Sequence, residues 1–571
     1  MNIEILSFKE IVIFPELFLG ISLIYLTLHS TFLAIQKKYP LIQNSVLYLS
    51  ILILIFSSYL VYNEHLSVVE ISCLNNTYVS DYISFISKIL IGSLSIFCLL
   101  MMRSYILKQQ INNFEYFLLF LFSVLGLFLL CSSNDLLTSY LAIELQSLSF
   151  YVLAAFKKNS TFSVDAGIKY FILGAFASSM FLFGVSLIYG LTGSVSFDDF
   201  QLLFLNSVPS KNLNNISFYD VLSESYDKIG YNVFVQYPNL MCVLSLESDT
   251  VCKFFECQYE LKEIWINFNF LELSTINEFY VDYFFDTTLI KFALIFILIA
   301  LFFKLTIAPF HVWAPDVYEG SPSSSTFFFS VVPKLAIFVL LVRIFYYSFY
   351  GFVENWRHFI VLIVIFSILI GSFGGLEQRK LKTLLVYSTI SHMGYSLIAF
   401  SAGTFESLQM LLSYLIVYSF SGLCIWSIFM ITKIKTTYTQ KQNKDLTDLV
   451  LLGKSNYILA IFFTTVLFSV AGFPPMIGFL VKMGIFLTAI EVSMYFVALI
   501  SILCSVVGTF YYIRLIKILY FEKVTVGKLY YPISSQSSVI ISSLFFLFLF
   551  LFCNPTLLFL ISQKLSLLVF F

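Results

Sequence analysis

Fourteen apolar stretches, each about long enough to cross a bilayer, recur along this 571-residue chain. A transmembrane helix needs roughly 20 predominantly apolar residues. The candidates fall at about 11–35, 41–62, 83–107, 114–132, 134–156, 163–191, 286–321, 324–350, 356–376, 383–402, 406–432, 456–490, 492–519 and 536–562. Only 11% of the residues are charged, against about 25% in a typical soluble domain. The pattern predicts an all-α polytopic membrane protein.

Two stretches are too long for one straight span. The seventh (286–321) carries Pro309, and the twelfth (456–490) carries Pro474 and Pro475. Proline removes a backbone hydrogen bond and clashes with the preceding turn. Each stretch therefore reads as two half-helices joined by an unwound link. Two interruptions at corresponding places point to repeated halves and to an ion site. The breaks lie five helices apart, which suggests one repeat at helices 4–8 and a second at 9–13. An odd number of crossings would insert them in opposite orientations. The chain then divides into a three-helix segment (1–113), the first part of repeat one (114–193), an acidic insertion (194–285), the rest of repeat one (286–350), repeat two (351–520) and a C-terminal helix (521–571).

Loop charges test the count. Taken alternately, one set of loops holds eighteen of the thirty-two Lys and Arg, among them Lys37, Lys38, Lys157, Lys158, Arg379, Lys380, Lys382 and Arg514. The other set carries acids such as Glu64, Asp81, Asp135, Glu354 and Glu491. Basic residues gather on the cytoplasmic or matrix side, so both termini are expected on the outer side. Segment 194–285 lies there too, with thirteen Asp and Glu against four Lys. It holds Cys242, Cys252 and Cys257, and aromatics suited to packing on a partner.

Five ionisable groups fit no loop: Glu144, Lys169, Lys304, Lys334 and Lys482. Each costs roughly 2.5–3.5 kcal/mol at a helix centre. Five together would cost about 12–18 kcal/mol, more than a domain's usual net stability of about 5–15 kcal/mol. Pairing or hydration must offset most of it. An intramembrane ionisable residue is by default a functional-site hypothesis, and a desolvated ammonium gives up its proton more readily. The set reads as a proton path. Glu144 and Lys169 flank one hairpin turn at depths about one helical turn apart. They are expected to pair, either as a switch acting on the neighbouring lysines or as a purely structural bridge. His392, on a face shared with Tyr387, Ser388 and Ser391, is a candidate relay; His311, beside the first break, is a weaker one. Asp316 and Glu319 are read as solvated acids of the turn Pro315–Pro322.

Other chemistry is missing. There is no CxxC pair for iron–sulfur or zinc ligation, no GxGxxG for a nucleotide, and a net charge of −1 offers no nucleic-acid footprint. No metal or cofactor is expected in this chain. Its first sixteen residues carry three acids, unlike a transit or signal peptide, and the richness in Phe, Ile, Leu, Tyr and Asn suggests organelle encoding.

Four motifs carry a resemblance: SYLAIELQSLSFYVLAAFKKNSTFSVDAGIKYFILGAFASSMFLFGVSLIYGLTG (139–193), FKLTIAPFHVWAPDVYEGSP (303–322), KTLLVYSTISHMGYS (382–396) and FSVAGFPPMIGFLVKMGIF (468–486). Together they resemble the antiporter-like membrane subunits of respiratory complex I, of the subunit 2 (bacterial subunit N) type. The resemblance covers over half the chain. It implies about fourteen helices, two inverted five-helix repeats with helices 7 and 12 broken, and proton translocation. By motif it assigns Glu144, Lys169, Lys304, Lys334 and Lys482 to the path. It also implies that NADH, FMN, iron–sulfur clusters and ubiquinone are held by other subunits. The partners would be neighbouring membrane-arm subunits and lipids, with accessory subunits touching the outer insertion. The implied location is the mitochondrial inner membrane, with both termini in the intermembrane space. Alternatives are a stand-alone cation/proton antiporter of related ancestry and a structural spacer that has lost pumping. Segment 194–285 and helices 1–3 and 14 depart from the pattern.

Overall fold

A computed structural model describes residues 12–35, 39–64, 71–108, 114–204, 287–435, 440–442, 445–522, 529–530 and 532–570. The backbone of an apolar stretch in lipid has no solvent to bond, so each stretch closes its hydrogen bonds on itself as a helix. The helices are α1 (Phe14–Ile35), α2 (Tyr39–Glu64), α3 (Tyr82–Lys108), α4 (Glu115–Ser132), α5 (Leu136–Ala154) and α6 (Thr161–Thr192). The seventh is split into α7a (Thr287–Lys304) and α7b (Trp313–Gly320). The eighth runs as α8a (Ser323–Val331) and α8b (Pro333–Val342) and ends in a π-helical turn, Arg343–Ser348. Then come α9 (Val353–Leu376), α10 (Leu381–Ala402), α11 (Phe405–Ile431), α12a (Tyr457–Ala471), α12b (Ile477–Glu491) and α13 (Tyr495–Tyr520). The last stretch forms α14a (Ser535–Cys553) and α14b (Thr556–Phe570).

Twelve of the described helices are long and apolar enough to cross a bilayer. Adding α10, which is 22 residues long but hydroxyl-rich, and the split α12 restores the fourteen expected crossings. The core sits at α8 and α10. Every residue of α8a and α8b is buried, as are twenty of the residues of α10. α3, α4 and α11 pack around α8; α9, α11 and α12b pack around α10; α7b spans from α6 to α10. α1 and α14a lie at the rim, with most of their surface outward.

Both breaks fall where proline was expected to put them. Lys304 closes α7a, Thr306 takes a left-handed φ of 61°, and a cis Ala308–Pro309 bond lies in the link to α7b. α12a ends at Gly472, with φ 87°, and a cis Pro474–Pro475 bond precedes α12b.

The structure corrects several expectations. The Pro315–Pro322 turn is mostly helix α7b, and its acids are solvated as expected but each is paired. Asp316 pairs with Lys169 at 2.5 Å, and Glu319 pairs with Lys380. The fourteenth stretch is two helices, because Pro555 cannot continue α14a. Short β-pairings also appear: a hairpin Ile71–Cys73 with Tyr78–Ser80, and strands Lys433–Lys435, Gln440–Gln442 and Leu529–Tyr530 joined in one antiparallel sheet. The insertion begins as a short helix, Phe197–Phe204, that buries Phe197, Phe200 and Phe204. Its cysteines Cys242, Cys252 and Cys257 lie outside the described residues.

Candidate functional site

Lys334, Lys482 and His392 lie buried in the bundle, and Lys304 lies half-buried in it. Lys304 sits at the C-terminus of α7a. Its Nζ donates to the Tyr151 hydroxyl at 3.3 Å and stands 5.6 Å from that ring's centroid. Tyr151 comes from α5, two turns beyond Glu144. The Glu144 carboxylate accepts from the Ser147 hydroxyl at 3.1 Å and lies within electrostatic reach of Lys304. Glu144 thus couples to Lys304 and not, as the sequence suggested, to Lys169. The reason is the placement of α7b, which packs along α6 and offers Asp316 to Lys169. That pair is about half exposed on the flank of the chain.

Lys334 is the second residue of α8b and is 2% exposed. Its Nζ donates to the Tyr418 hydroxyl at 2.9 Å. His392 sits in the middle of α10, with Nδ1 2.6 Å from the Tyr414 hydroxyl and Nε2 3.0 Å from that of Tyr512. Its ring centroid is 5.7 Å from that of Tyr418, and both Lys334 and Lys482 lie within electrostatic reach. Tyrosines thus stand between the titratable groups.

Lys482 uses the second break directly. Its Nζ donates to the carbonyls of Val470 and Ala471 at 2.7 and 3.1 Å. The last four carbonyls of a helix lack intrahelical donors and carry the negative end of its dipole. Unwinding at Pro474 and Pro475 therefore turns the end of α12a into a cation acceptor inside the bundle. Gly472 makes this fit: a Cβ there would meet Lys482 Cδ at 3.0 Å and Nζ at 3.3 Å. The first break works differently. Lys304 is at its edge, and the indole of Trp313 donates to the Phe303 carbonyl at 3.1 Å. His311 in that link is partly buried, and its Nδ1 has no partner among the described residues.

An ammonium carries three donors and a neutral imidazole one donor and one acceptor. Lysines held by one or two hydrogen bonds to phenols or carbonyls can take up and release protons without unfolding the site. Tyr151 and Lys304 are joined by one hydrogen bond with Glu144 in electrostatic reach, and Lys334 and Tyr418 by another, with the His392 ring 5.7 Å from that of Tyr418 and Lys482 in electrostatic reach of His392. Lys169 belongs to neither group.

The sequence reading missed the tyrosines, although Tyr414 and Tyr418 lie four apart in an apolar helix and so share a face. It also missed two ion pairs at the acidic-loop ends. Lys88 of α3 binds Glu16 of α1 at 2.6 Å, almost fully buried, and also donates to Tyr78 at 2.6 Å. Arg343 binds Asp81 at 2.6 Å beside a cavity of about 240 Å³ that Asn134, Asp198 and Tyr347 help to line. Lys88 and Arg343 fall inside apolar stretches that the count treated as uniform.

The family described as NADH:quinone oxidoreductase/Mrp antiporter matches residues 133–230 and 263–508. NADH-ubiquinone oxidoreductase chain 2 of Marchantia polymorpha is 34% identical over 561 residues, covering 97% of this chain and 98% of that protein. NADH-quinone oxidoreductase subunit N of Pelagibacter ubique is 32% identical over 90% of this chain and 89% of its own. Among solved structures, a chain of respiratory complex I from Thermus thermophilus superposes with a TM-score of 0.68 at 23% identity, covering 95% of this chain and 98% of that one. A chain of the Mrp complex from Dietzia does so with a TM-score of 0.69 at 16% identity, covering 97% of each.

Proposed function

Because this chain belongs to the NADH:quinone oxidoreductase/Mrp antiporter family of membrane subunits, we propose that it is a proton-translocating membrane-arm subunit of respiratory complex I. The observation that carries this is the line of buried lysines set against a helix end opened by a break. Lys482 rests on the freed carbonyls of α12a, and Lys334 and Lys304 rest on tyrosine hydroxyls. Glu144 is the charge that biases Lys304, and Lys334, His392 and Lys482 hand the proton on. Lys169 with Asp316 acts at the flank, where a neighbouring membrane subunit can reach it. His311 stands at the first break as a further relay.

The two breaks divide helices 4–8 and 9–13 into inverted repeats. The chain holds no redox group of its own. NADH, FMN, iron–sulfur clusters and ubiquinone belong to other subunits, and their chemistry drives the charge changes here. The protein is a multi-pass component of the mitochondrial inner membrane, with its basic loops in the matrix and both termini opposite; its gene is organellar. A stand-alone antiporter is the weaker reading, since NADH oxidoreductase subunits match nine-tenths or more of this chain.

Native gel electrophoresis of the solubilised membrane tests the assignment. The expected result is comigration with NADH dehydrogenase activity in a large complex. A free transporter of the chain's own size would overturn it. Glu144→Gln should then assemble normally and pump fewer protons per NADH.

A further inference from the structure

His392 has a partner on each side, and the path described above needs only one. Tyr414 of α11 is at Nδ1, and Tyr512 of α13 is at Nε2. Tyr414 lies toward Tyr418 and Lys334. Tyr512 faces away, into a seam between α9, α10 and α13. There Ser388 lies beside Tyr512 and Ser391 beside Tyr511, their hydroxyls donating to the Leu385 and Ser388 carbonyls at 2.6 and 2.8 Å, and the rings of Tyr511 and Tyr512 lie 4.5 Å apart. The seam runs toward the basic loops. Tyr511 packs on Gly375, one residue from the basic-loop end of α9, where a Cβ would meet its ring at 3.0 Å. Arg514 donates from the same stretch to the Leu376 carbonyl at 3.1 Å. Tyr512 lies eight residues from the end of α13, about 12 Å along the helix. Leu384 and Leu385 lie one turn from Ser388 along α10 and Leu515 one turn from Tyr512 along α13, and all three are buried.

A neutral imidazole has one donor and one acceptor. One phenol must therefore donate to His392 while the other accepts from it, and the tautomer sets the direction. We propose that Tyr512 is a second relay residue, and that the α9–α10–α13 seam is an access route from the basic-loop side to His392, shut in this structure by its leucines. A hydronium ion reaching Ser388 gives a proton to the Tyr512 oxygen and is left as water, and the Tyr512 hydroxyl proton passes to Nε2. The Nδ1 proton passes to Tyr414, whose own hydroxyl proton leaves to water on the Lys334 side. One proton enters, one leaves, and His392 changes tautomer without holding a net charge. This deepens the proton-translocating reading and rests on it.

Two measurements on the assembled complex in sealed vesicles test the route. Ser388→Cys should react with a small, membrane-impermeant cationic thiosulfonate from the basic-loop side during turnover and not from the opposite side. Tyr512→Phe should assemble, slow proton-coupled turnover by about tenfold or more, in the range of lost proton-transfer groups, and change the solvent deuterium isotope effect. A merely packed phenol would leave the isotope effect unmoved. Labelling absent from the basic-loop side, or found only from the other, overturns the route, even if Tyr512→Phe fails to assemble. Lys482→Ala is measured in parallel. If it reduces pumping while Tyr512→Phe and Ser388→Cys behave as wild type, the seam alone is refuted. If none of the three matters, the pumping role falls with it.

Discussion

Gly472→Ala puts the weight of the second break on one methyl group. Gly472 has φ 87°, a left-handed conformation that costs an L-residue about 1–2 kcal/mol. The new Cβ would sit 3.0 Å from Lys482 Cδ and 3.3 Å from Nζ. The lysine stem must move by a few tenths of an ångström, at a place where Nζ bonds two carbonyls at 2.7 and 3.1 Å. A hydrogen bond to a charged group is worth about 1.5–3 kcal/mol, so losing one changes the occupancy of that position by about tenfold to a hundredfold. The expected result is a nearly normal amount of assembled complex and a clear fall in protons moved per NADH oxidised, read by a pH dye in sealed vesicles. Gly472→Asn separates the two costs. Asparagine tolerates the left-handed conformation but places the same Cβ beside Lys482. Pumping should be lost in both variants. Full pumping in the asparagine variant would mean that backbone strain, and not the displaced lysine, was the cause, and the reasoning would be refuted.

Other outcomes are equally open to measurement. Tyr418→Phe removes the phenol that Lys334 donates to and should slow coupled turnover while a native gel shows normal assembly. Lys88→Met leaves Glu16 buried without its partner and should cost about 3–5 kcal/mol, seen as loss of assembled complex on heating; adding Glu16→Leu should restore much of it. Asp135, on the acidic-loop side, is held up from 3.8 to about 6 by its burial, and then by Asp198 and Asp199. A carboxyl raised on folding stabilises the fold at low pH, fully below about 4, and loses that contribution as pH rises through about 6. Thermal melting between pH 4 and 8 should show this decline, and Asp135→Asn should flatten it. Lys169→Gln should leave the melting temperature unchanged, because its ion pair with Asp316 is solvated.

Much of the fold was legible because lipid enforces it. Fourteen crossings followed from apolar length, and Pro309, Pro474 and Pro475 marked the breaks. α10 was legible too, even though its hydroxyls lower its hydropathy, because Ser388, Ser391 and His392 still sit in a run of span length. The buried lysines were legible because each charge stands alone in an apolar stretch. Partnership was not. Lys169 was matched with Glu144 by hairpin depth, but α7b brings Asp316 across, and nothing local in the sequence announces that a turn of prolines and acids forms a helix against α6. The tyrosine links were hidden for a related reason. Tyr151, Tyr414, Tyr418 and Tyr512 lie on three helices far apart in sequence, and in a chain with 36 tyrosines none stands out until the helices are packed. Lys88 and Glu16 were overlooked because each falls inside an apolar stretch that the count treated as uniform.

The central claim is that these buried side chains carry protons. In normally assembled complex reconstituted in tight vesicles, Lys482 and Lys304 should each be replaced by alanine, and protons translocated per NADH oxidised counted against wild type. The expected result is a lower ratio in each variant, with electron transfer still measurable when the gradient is collapsed by an uncoupler. An unchanged ratio in both would contradict the account.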